Sequence, residues 1–241
     1  MQMDNTYDEV YIRAKCFKGL FIHDISNLFH SISNAFELCI MLLKEPRNEE
    51  ILEYFKLIEE QINRGKKLVR NFRKLSELEE SIMLLEPVNL LKNLNKAVRF
   101  AQANFPRRRI EIKINSKANS IYVSANNLLL DVFENIFINA IRYNKNKLVQ
   151  IKVSISEIIE LNKKFIKLEF KDNGIGIDAT DKYEILREGH KKSKESKGMG
   201  IGLSLVAILL NLWEGKIWIE DRIRGDSSKG SNFIITIPKA W

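Results

Sequence analysis

Cysteine, proline and glycine are all scarce in this chain. Cys16 and Cys39 are too few for a disulfide scaffold or a zinc-ligand cluster, and they point to a reducing compartment. Four prolines and eleven glycines in 241 residues exclude collagen-like and low-complexity readings. No apolar run approaches the ~20 residues that a membrane-spanning helix needs. The first fifteen residues carry Asp4, Asp8 and Glu9 where a secretory signal would have an apolar core. What is present is a globular composition, 45% hydrophobic and 29% charged. The length suits one or two domains with a sizeable core.

Charge divides the chain. Residues 1–85 carry 12 basic and 14 acidic side chains, and residues 86–241 carry 27 basic and 17 acidic ones. The formal net charge of +8 therefore belongs to the second part. It asks for an anionic partner, which a nucleotide satisfies as well as a polymer does.

The first part reads as a helical hairpin. Phe21, Ile25, Leu28, Ile32, Ala35, Cys39 and Leu42 recur in alternating steps of four and three. Ile51, Phe55, Ile58, Ile62, Gly65, Val69 and Phe72 do the same beyond Pro46. Each arm thus carries an a/d heptad seam. The short linker at 44–48 folds the arms antiparallel. Two such hairpins would bury the seam as a four-helix bundle, so a homodimer is expected.

The second part mixes periods. Residues 90–104 read as a helix, 109–115 as an alternating strand and 120–123 as a short strand. Residues 126–143 form a long helix with Leu129, Val132, Phe133, Ile136, Phe137, Ala140 and Ile141 on its apolar face. Residues 149–155, 165–171, 216–221 and 232–237 read as strands, and 201–213 as a helix apolar nearly all round. Strands in hairpin-like pairs interspersed with helices define an α/β sandwich with one helical layer. The Lys- and Ser-rich stretch 188–198 reads as a mobile loop.

Three constellations carry chemistry. Asp172-Asn173-Gly174-Ile175-Gly176-Ile177 follows a strand. Its glycines permit close approach of backbone to ligand, and its Asp accepts from an exocyclic amine. Gly198-Met199-Gly200-Ile201-Gly202-Leu203 opens the apolar helix, where backbone N–H groups attract phosphate. Glu134-Asn135 and Asn139-Ala140 share the long helix with Arg142 and Tyr143. Asn135 and Asn139 are four apart and so lie on one face. An amide oxygen there suits Mg²⁺ when nucleotide phosphates complete its shell. Each constellation also has a structural reading, as a glycine turn, a helix start or a satisfied buried Asn pair.

In this order and spacing the set resembles the ATP-binding domain of two-component sensor histidine kinases. That domain lies within the GHKL superfamily, which includes gyrase, the ninety-kilodalton chaperones and MutL. The resemblance covers residues 86–241 and implies a Bergerat-type α/β sandwich. It implies ATP and Mg²⁺ as cofactors, with Asn139 on the metal, Asp172 on adenine, Arg142 on phosphate and Tyr143 lining the pocket. It also places Asn135, Gly174, Gly176, Gly198, Gly200, Gly202 and Leu203 around the nucleotide. Lys192 belongs to an ATP lid spanning about 187–199, with His190, Lys191, Lys194 and Lys197. Asn135 stands where the hydrolysing members carry a catalytic Glu, which favours kinase over ATPase.

The first arm contains Phe21-Ile22-His23-Asp24-Ile25-Ser26-Asn27. This resembles the phospho-accepting box of the same kinases. It implies His23 as acceptor, with Asp24 holding one ring nitrogen as N–H. Asn27 is implied in the reverse activity, dephosphorylation of the partner. The chain accordingly reads as α+β. Residues 1–85 form the dimerisation and phospho-acceptor hairpin, and 86–241 the ATP-binding domain. A mobile hinge is expected near Leu84–Pro87. The expected partners are a second copy, a response regulator receiver domain, and a sensor domain or sensor partner. No room for a sensor is expected before residue 5, and no membrane segment or nucleic-acid partner is expected. The expected location is the cytoplasm. The alternative is a nucleotide-binding dimeric scaffold or inactive kinase; a chaperone- or gyrase-like ATPase fails on Asn135 and on the His-Asp box, and a nucleic-acid binder is suggested only by Pro106-Arg107-Arg108-Arg109. That run has no aromatic interleaving and reads as a solvated edge.

Overall fold

The computed structural model describes residues 25–27, 29–41, 51, 53–59, 61, 62, 65, 69, 85–116, 118–188 and 201–240. The chain divides into two compact units, Met1–Ile82 and Met83–Trp241. His23, Asp24, Lys192, Gly198 and Gly200 lie outside the described residues.

In the first unit, the described residues of 25–41 (α1) are all helical, as are those of 51–69 (α2). On α1 the expected seam turns inward: Ala35 and Cys39 are buried, and Ile25 and Ile32 half-buried. On α2 the seam divides. Ile51 is buried and Ile58 and Gly65 are half-buried, together with Gln61 and Tyr54. Phe55, Ile62 and Val69 are 51%, 43% and 51% exposed. The three recur every seven residues and so form one stripe beside the buried one. Phe29 and Phe36, also seven apart, are exposed on α1.

The second unit is a five-stranded sheet with helices on one face and a two-stranded sheet beside it. Its elements are β1 (Glu86–Asn89), α3 (Leu90–Asn104), β2 (Arg109–Asn115), β3 (Tyr122–Ala125), α4 (Leu129–Arg142), β4 (Leu148–Glu160), β5 (Lys163–Asp172), α5 (Ala179–Glu188), α6 (Ile201–Leu212), β6 (Lys216–Ile223) and β7 (Asp226–Pro238). The large sheet has the order β2-β4-β5-β7-β6, and β1 pairs with β3. β2 and β4 run parallel, and the other neighbours in the large sheet run antiparallel.

Local chemistry explains most boundaries. Asn89 caps α3, its side chain accepting from the Lys92 N–H at 2.9 Å. Asn126 Oδ1 accepts from the Leu128 N–H at 3.1 Å. This Asx turn delays α4 to Leu129, three residues after the start read from the sequence. β4 and β5 are joined by Leu161 and Asn162, both at positive φ, as a two-residue hairpin of the right twist demands. The short strand sits at Tyr122–Ala125, two residues later than expected. Two elements were not expected. β1 contains Pro87, which an edge strand tolerates, and α5 is too polar to show an apolar period.

Glu86 and Pro87, read as part of a mobile hinge, are held in β1 opposite Ala125 and Ser124. The expected apolar face of α4 is buried in full. Phe133 and Phe137 meet Phe170 of β5 at ring-centroid distances of 6.1 and 5.6 Å. On α6, Leu205, Val206, Leu209 and Leu210 are buried, as is Trp213 just beyond it. These contacts fix the ends of α4, β5 and α6 relative to one another.

Candidate functional site

The end of β5 supplies a buried carboxylate. Asp172 is 4% exposed, a position dictated by its place opposite Ile151 in the sheet interior. Its Oδ1 accepts from the Gly174 N–H at 2.7 Å and the Ser231 N–H at 3.4 Å. Burial pushes the Asp172 carboxyl up to about 6, against the opposing pull of those two N–H groups and of the Arg222 charge.

The glycines of this turn are spacing devices. Gly176 has φ +76°, and a Cβ there would lie 1.6 Å from the Ser227 carbonyl oxygen. A Cβ on Gly174 would lie 2.7 Å from the Tyr143 carbonyl oxygen. The turn is therefore pressed between the end of α4 and the β6–β7 hairpin, with no space for side chains.

The C-terminal turn of α4 closes on the same place. The Ile175 N–H donates to the Tyr143 carbonyl at 3.0 Å, and the Tyr143 N–H to Asn139 at 3.0 Å. Asn139 and Tyr143 are half-buried and Arg142 is exposed. One turn earlier, Asn135 is buried, its Nδ2 donating to the Asp131 carbonyl at 2.9 Å. A Cβ on Gly202 would lie 2.8 Å from Asn135 Oδ1, so the start of α6 rests against α4 here. Leu203, next on α6, is 7% exposed.

The structure thus brings Asn135, Asn139, Tyr143, Asp172, Gly174, Gly176 and Gly202 onto three adjoining elements. Asn27 is exposed on α1 in the other unit. Beside the turn opens a cavity of about 450 Å³, its wall carrying Lys145, Arg222 and Lys229. Among the described residues no three His, Cys, Asp or Glu side chains are grouped to hold a metal ion. A cation would therefore rely on an amide such as Asn139 and on ligand oxygens.

Sequence reading missed the polar group that holds the turn. Asn173 Oδ1 accepts from Asn144 Nδ2 at 2.7 Å and the Gln150 N–H at 2.8 Å. Its Nδ2 donates to the Leu148 carbonyl at 3.0 Å. Arg108, read as part of a solvated edge, instead donates from Nη2 to the carbonyls of Asn144 and Asn146 at 2.6 and 3.2 Å. The available signal was the Asn-Lys-Asn run after the helix, an Asx-turn composition in which Asn144 Oδ1 accepts from the Asn146 N–H at 3.0 Å.

A buried acceptor at a strand end, glycines that clear the backbone around it and an Asn-bearing helix thus meet at one turn. Residues 124–240 match the histidine kinase-, DNA gyrase B- and HSP90-like ATPase family. The sequence relatives include sensor histidine kinases and phytochromes. Cyanobacterial phytochrome A of Nostoc sp. is 23% identical over 98% of this chain and 30% of its own length. The adaptive-response sensory kinase SasA of Synechocystis sp. is 26% identical over 63% of this chain and 38% of its own. The chain thus spans less than half the length of these relatives. Among solved structures, the Acinetobacter baumannii histidine kinase AdeS matches with a TM-score of 0.58 at 19% identity, over 90% of this chain and 97% of that one. The catalytic domain of histidine kinase ThkA matches with a TM-score of 0.54 at 22% identity, over 65% and 99%. These likenesses show the fold, the α/β sandwich expected for the second unit. Among the described residues no helix is long and apolar enough to cross a membrane.

Proposed function

We propose that this chain is an ATP-dependent protein-histidine kinase core that phosphorylates His23 and passes the phosphoryl group to an Asp of a response regulator receiver domain. The observation that carries the nucleotide half is Asp172. It is a buried carboxylate whose bonds from the Gly174 and Ser231 N–H groups both fall on Oδ1, which supports Oδ2 as the acceptor of an exocyclic amine. Adenine offers that amine. The donor set fits ATP: an acceptor at one end of the site, and at the other the start of α6 and Arg142 for phosphate. Asn139 would hold Mg²⁺, which when bound neutralises charge on the transferring phosphoryl group.

Catalysis rests on positioning and charge neutralisation rather than on covalent chemistry by the domain. Asp172 and Tyr143 hold the base. Arg142 and the lid lysines, Lys192 among them, draw the triphosphate into line. Asn135 occupies the position of the family's water-activating Glu, and as an amide it takes no proton from water. Asp24 keeps one His23 ring nitrogen protonated, so that the other attacks phosphorus with its lone pair. The P–N bond forms as the bond to the ADP oxygen breaks. Asn27 orients water when the partner's aspartyl phosphate is hydrolysed.

The homodimer is supported by the exposed stripe of Phe55, Ile62 and Val69 on α2 and by Phe29 and Phe36 on α1. A second hairpin would cover these as a four-helix bundle. The working unit includes a sensor domain or sensor partner, and its place is the cytoplasm, where ATP and the receiver domain meet. Incubation with γ-labelled ATP tests the reading. Acid-labile, base-stable label that disappears in His23→Ala is expected, and its absence from the wild-type chain would overturn the proposal.

A further inference from the structure

We infer that Asn173 is a positioning residue that makes the adenine-reading turn and the C-terminal end of α4 one rigid piece, with Arg108 as its outer brace. This rests on the nucleotide reading of the site, which assigns Asn173 no part.

Asn173 has every polar group of its backbone and side chain engaged. Its N–H donates to the Gln150 carbonyl at 3.2 Å. Its carbonyl accepts from Asn146 Nδ2. Its Oδ1 takes two N–H donors, from Asn144 and Gln150, and its Nδ2 donates to Leu148. Those partners span 144–150, the link from α4 into β4. Neighbouring Ile175 closes the same link from the other side, bonding the Tyr143 carbonyl.

The brace lies outside the turn. Arg108 precedes β2, whose first residue Arg109 stands opposite Leu148 in the parallel pair. Its guanidinium bonds the Asn144 and Asn146 backbone carbonyls, holding the backbone that carries both amides. Asn144 is 2% exposed, so an unpaired amide there would be costly.

The consequence concerns distance. Asp172 reads the base from one side of the turn, and Asn139, Arg142 and Tyr143 meet the nucleotide from the other. With the two sides cross-linked, the spacing between base and phosphate contacts is set before any nucleotide arrives. Such preorganisation reduces the ordering cost of binding. It also sharpens base choice, because a fixed Oδ2 of Asp172 rewards an amine and rejects the guanine carbonyl.

The experiment uses the full chain and two variants, Asn173→Ala and Arg108→Ala. Hydrogen exchange without nucleotide reads the Gly174 and Ile175 amides, and ATP and GTP affinities are measured in parallel. Asn173→Ala is expected to speed exchange at these two amides over those of β7. It should weaken ATP binding about tenfold and narrow the ATP-to-GTP ratio, a readout that loss of global stability alone does not move. Arg108→Ala, which cannot touch nucleotide, is expected to do the same more weakly, and it carries the test if Asn173→Ala does not fold. Wild-type exchange at Gly174 and Ile175 in a folded variant overturns the cross-link. Faster exchange with an unchanged ATP-to-GTP ratio overturns its positioning role. If the wild-type chain binds neither nucleotide, the functional reading and this role fall together, while the exchange result still decides the cross-link.

Discussion

Gly202 and Asn135 are in contact through the absence of a side chain: a Cβ on Gly202 would lie 2.8 Å from Asn135 Oδ1. The amide cannot simply swing aside, because it is buried and its Nδ2 is bonded to the Asp131 carbonyl. Gly202→Ala therefore has opposite signs in two backgrounds. In the wild-type chain overpacking costs about 1–3 kcal/mol, more than the ~1 kcal/mol of helix propensity that alanine returns. In Asn135→Ala the clash is gone and the propensity gain remains. Thermal unfolding of the four members of the cycle checks this. Additive effects would show that the contact is not tight.

Asp172 should make nucleotide binding pH-dependent. Its carboxyl lies at about 6 in the folded chain, above the ordinary 3.8. A raised carboxyl stabilises the folded state at low pH, and that contribution is lost as pH rises through about 6. Binding has the opposite sign, since the amine of the base needs the ionised form. ATP affinity should fall on acidification below about pH 6, with a small proton release on binding near that pH. Titration calorimetry in two buffers of different ionisation enthalpy measures both. Asp172→Asn should flatten the profile, and a parallel fall in that variant would place the titrating group elsewhere.

Asn139 and Asp172 should fail differently. Asp172→Ala removes a charged acceptor worth about 1.5–3 kcal/mol, roughly ten- to a hundredfold in affinity. Asn139→Ala should abolish Mg²⁺-dependent labelling while leaving metal-free nucleotide affinity within a few-fold. Equal loss of metal-free affinity in both would remove the distinction between base and metal ends.

Exposure on α2 predicts a self-association face. Phe55→Lys with Ile62→Lys introduces charge into a stripe that is exposed on α2. The double variant should be monomeric by light scattering at micromolar concentration while keeping its helical circular dichroism. A dimer of unchanged affinity would put the interface elsewhere.

Variants at Asp24 and Asn27 should separate two activities. Asp24→Asn should slow autophosphorylation by roughly 10²-fold, the scale of a lost general base. Asn27→Ala should leave it within a few-fold and reduce dephosphorylation of the phosphorylated partner. An unchanged dephosphorylation rate would leave Asn27 as an exposed helix residue.

The sequence by itself determined the elements whose side chains repeat with a period. The apolar face of α4, the alternation of β2 and the nearly all-apolar α6 could be read because burial acts on every third, fourth or second residue. The Gly-rich turns could be read because few other residues fit there. Only the tertiary structure decided which half of the α2 seam is covered, since a heptad stripe does not say how wide its partner is. It alone showed β1 and α5, one containing a proline and the other too polar to show a pattern. It also decided the partners of Asn173, Asn144 and Arg108. Their hydrogen bonds join residues 29 and 36 positions apart, and a polar side chain carries no periodic mark of a partner that the fold brings to it.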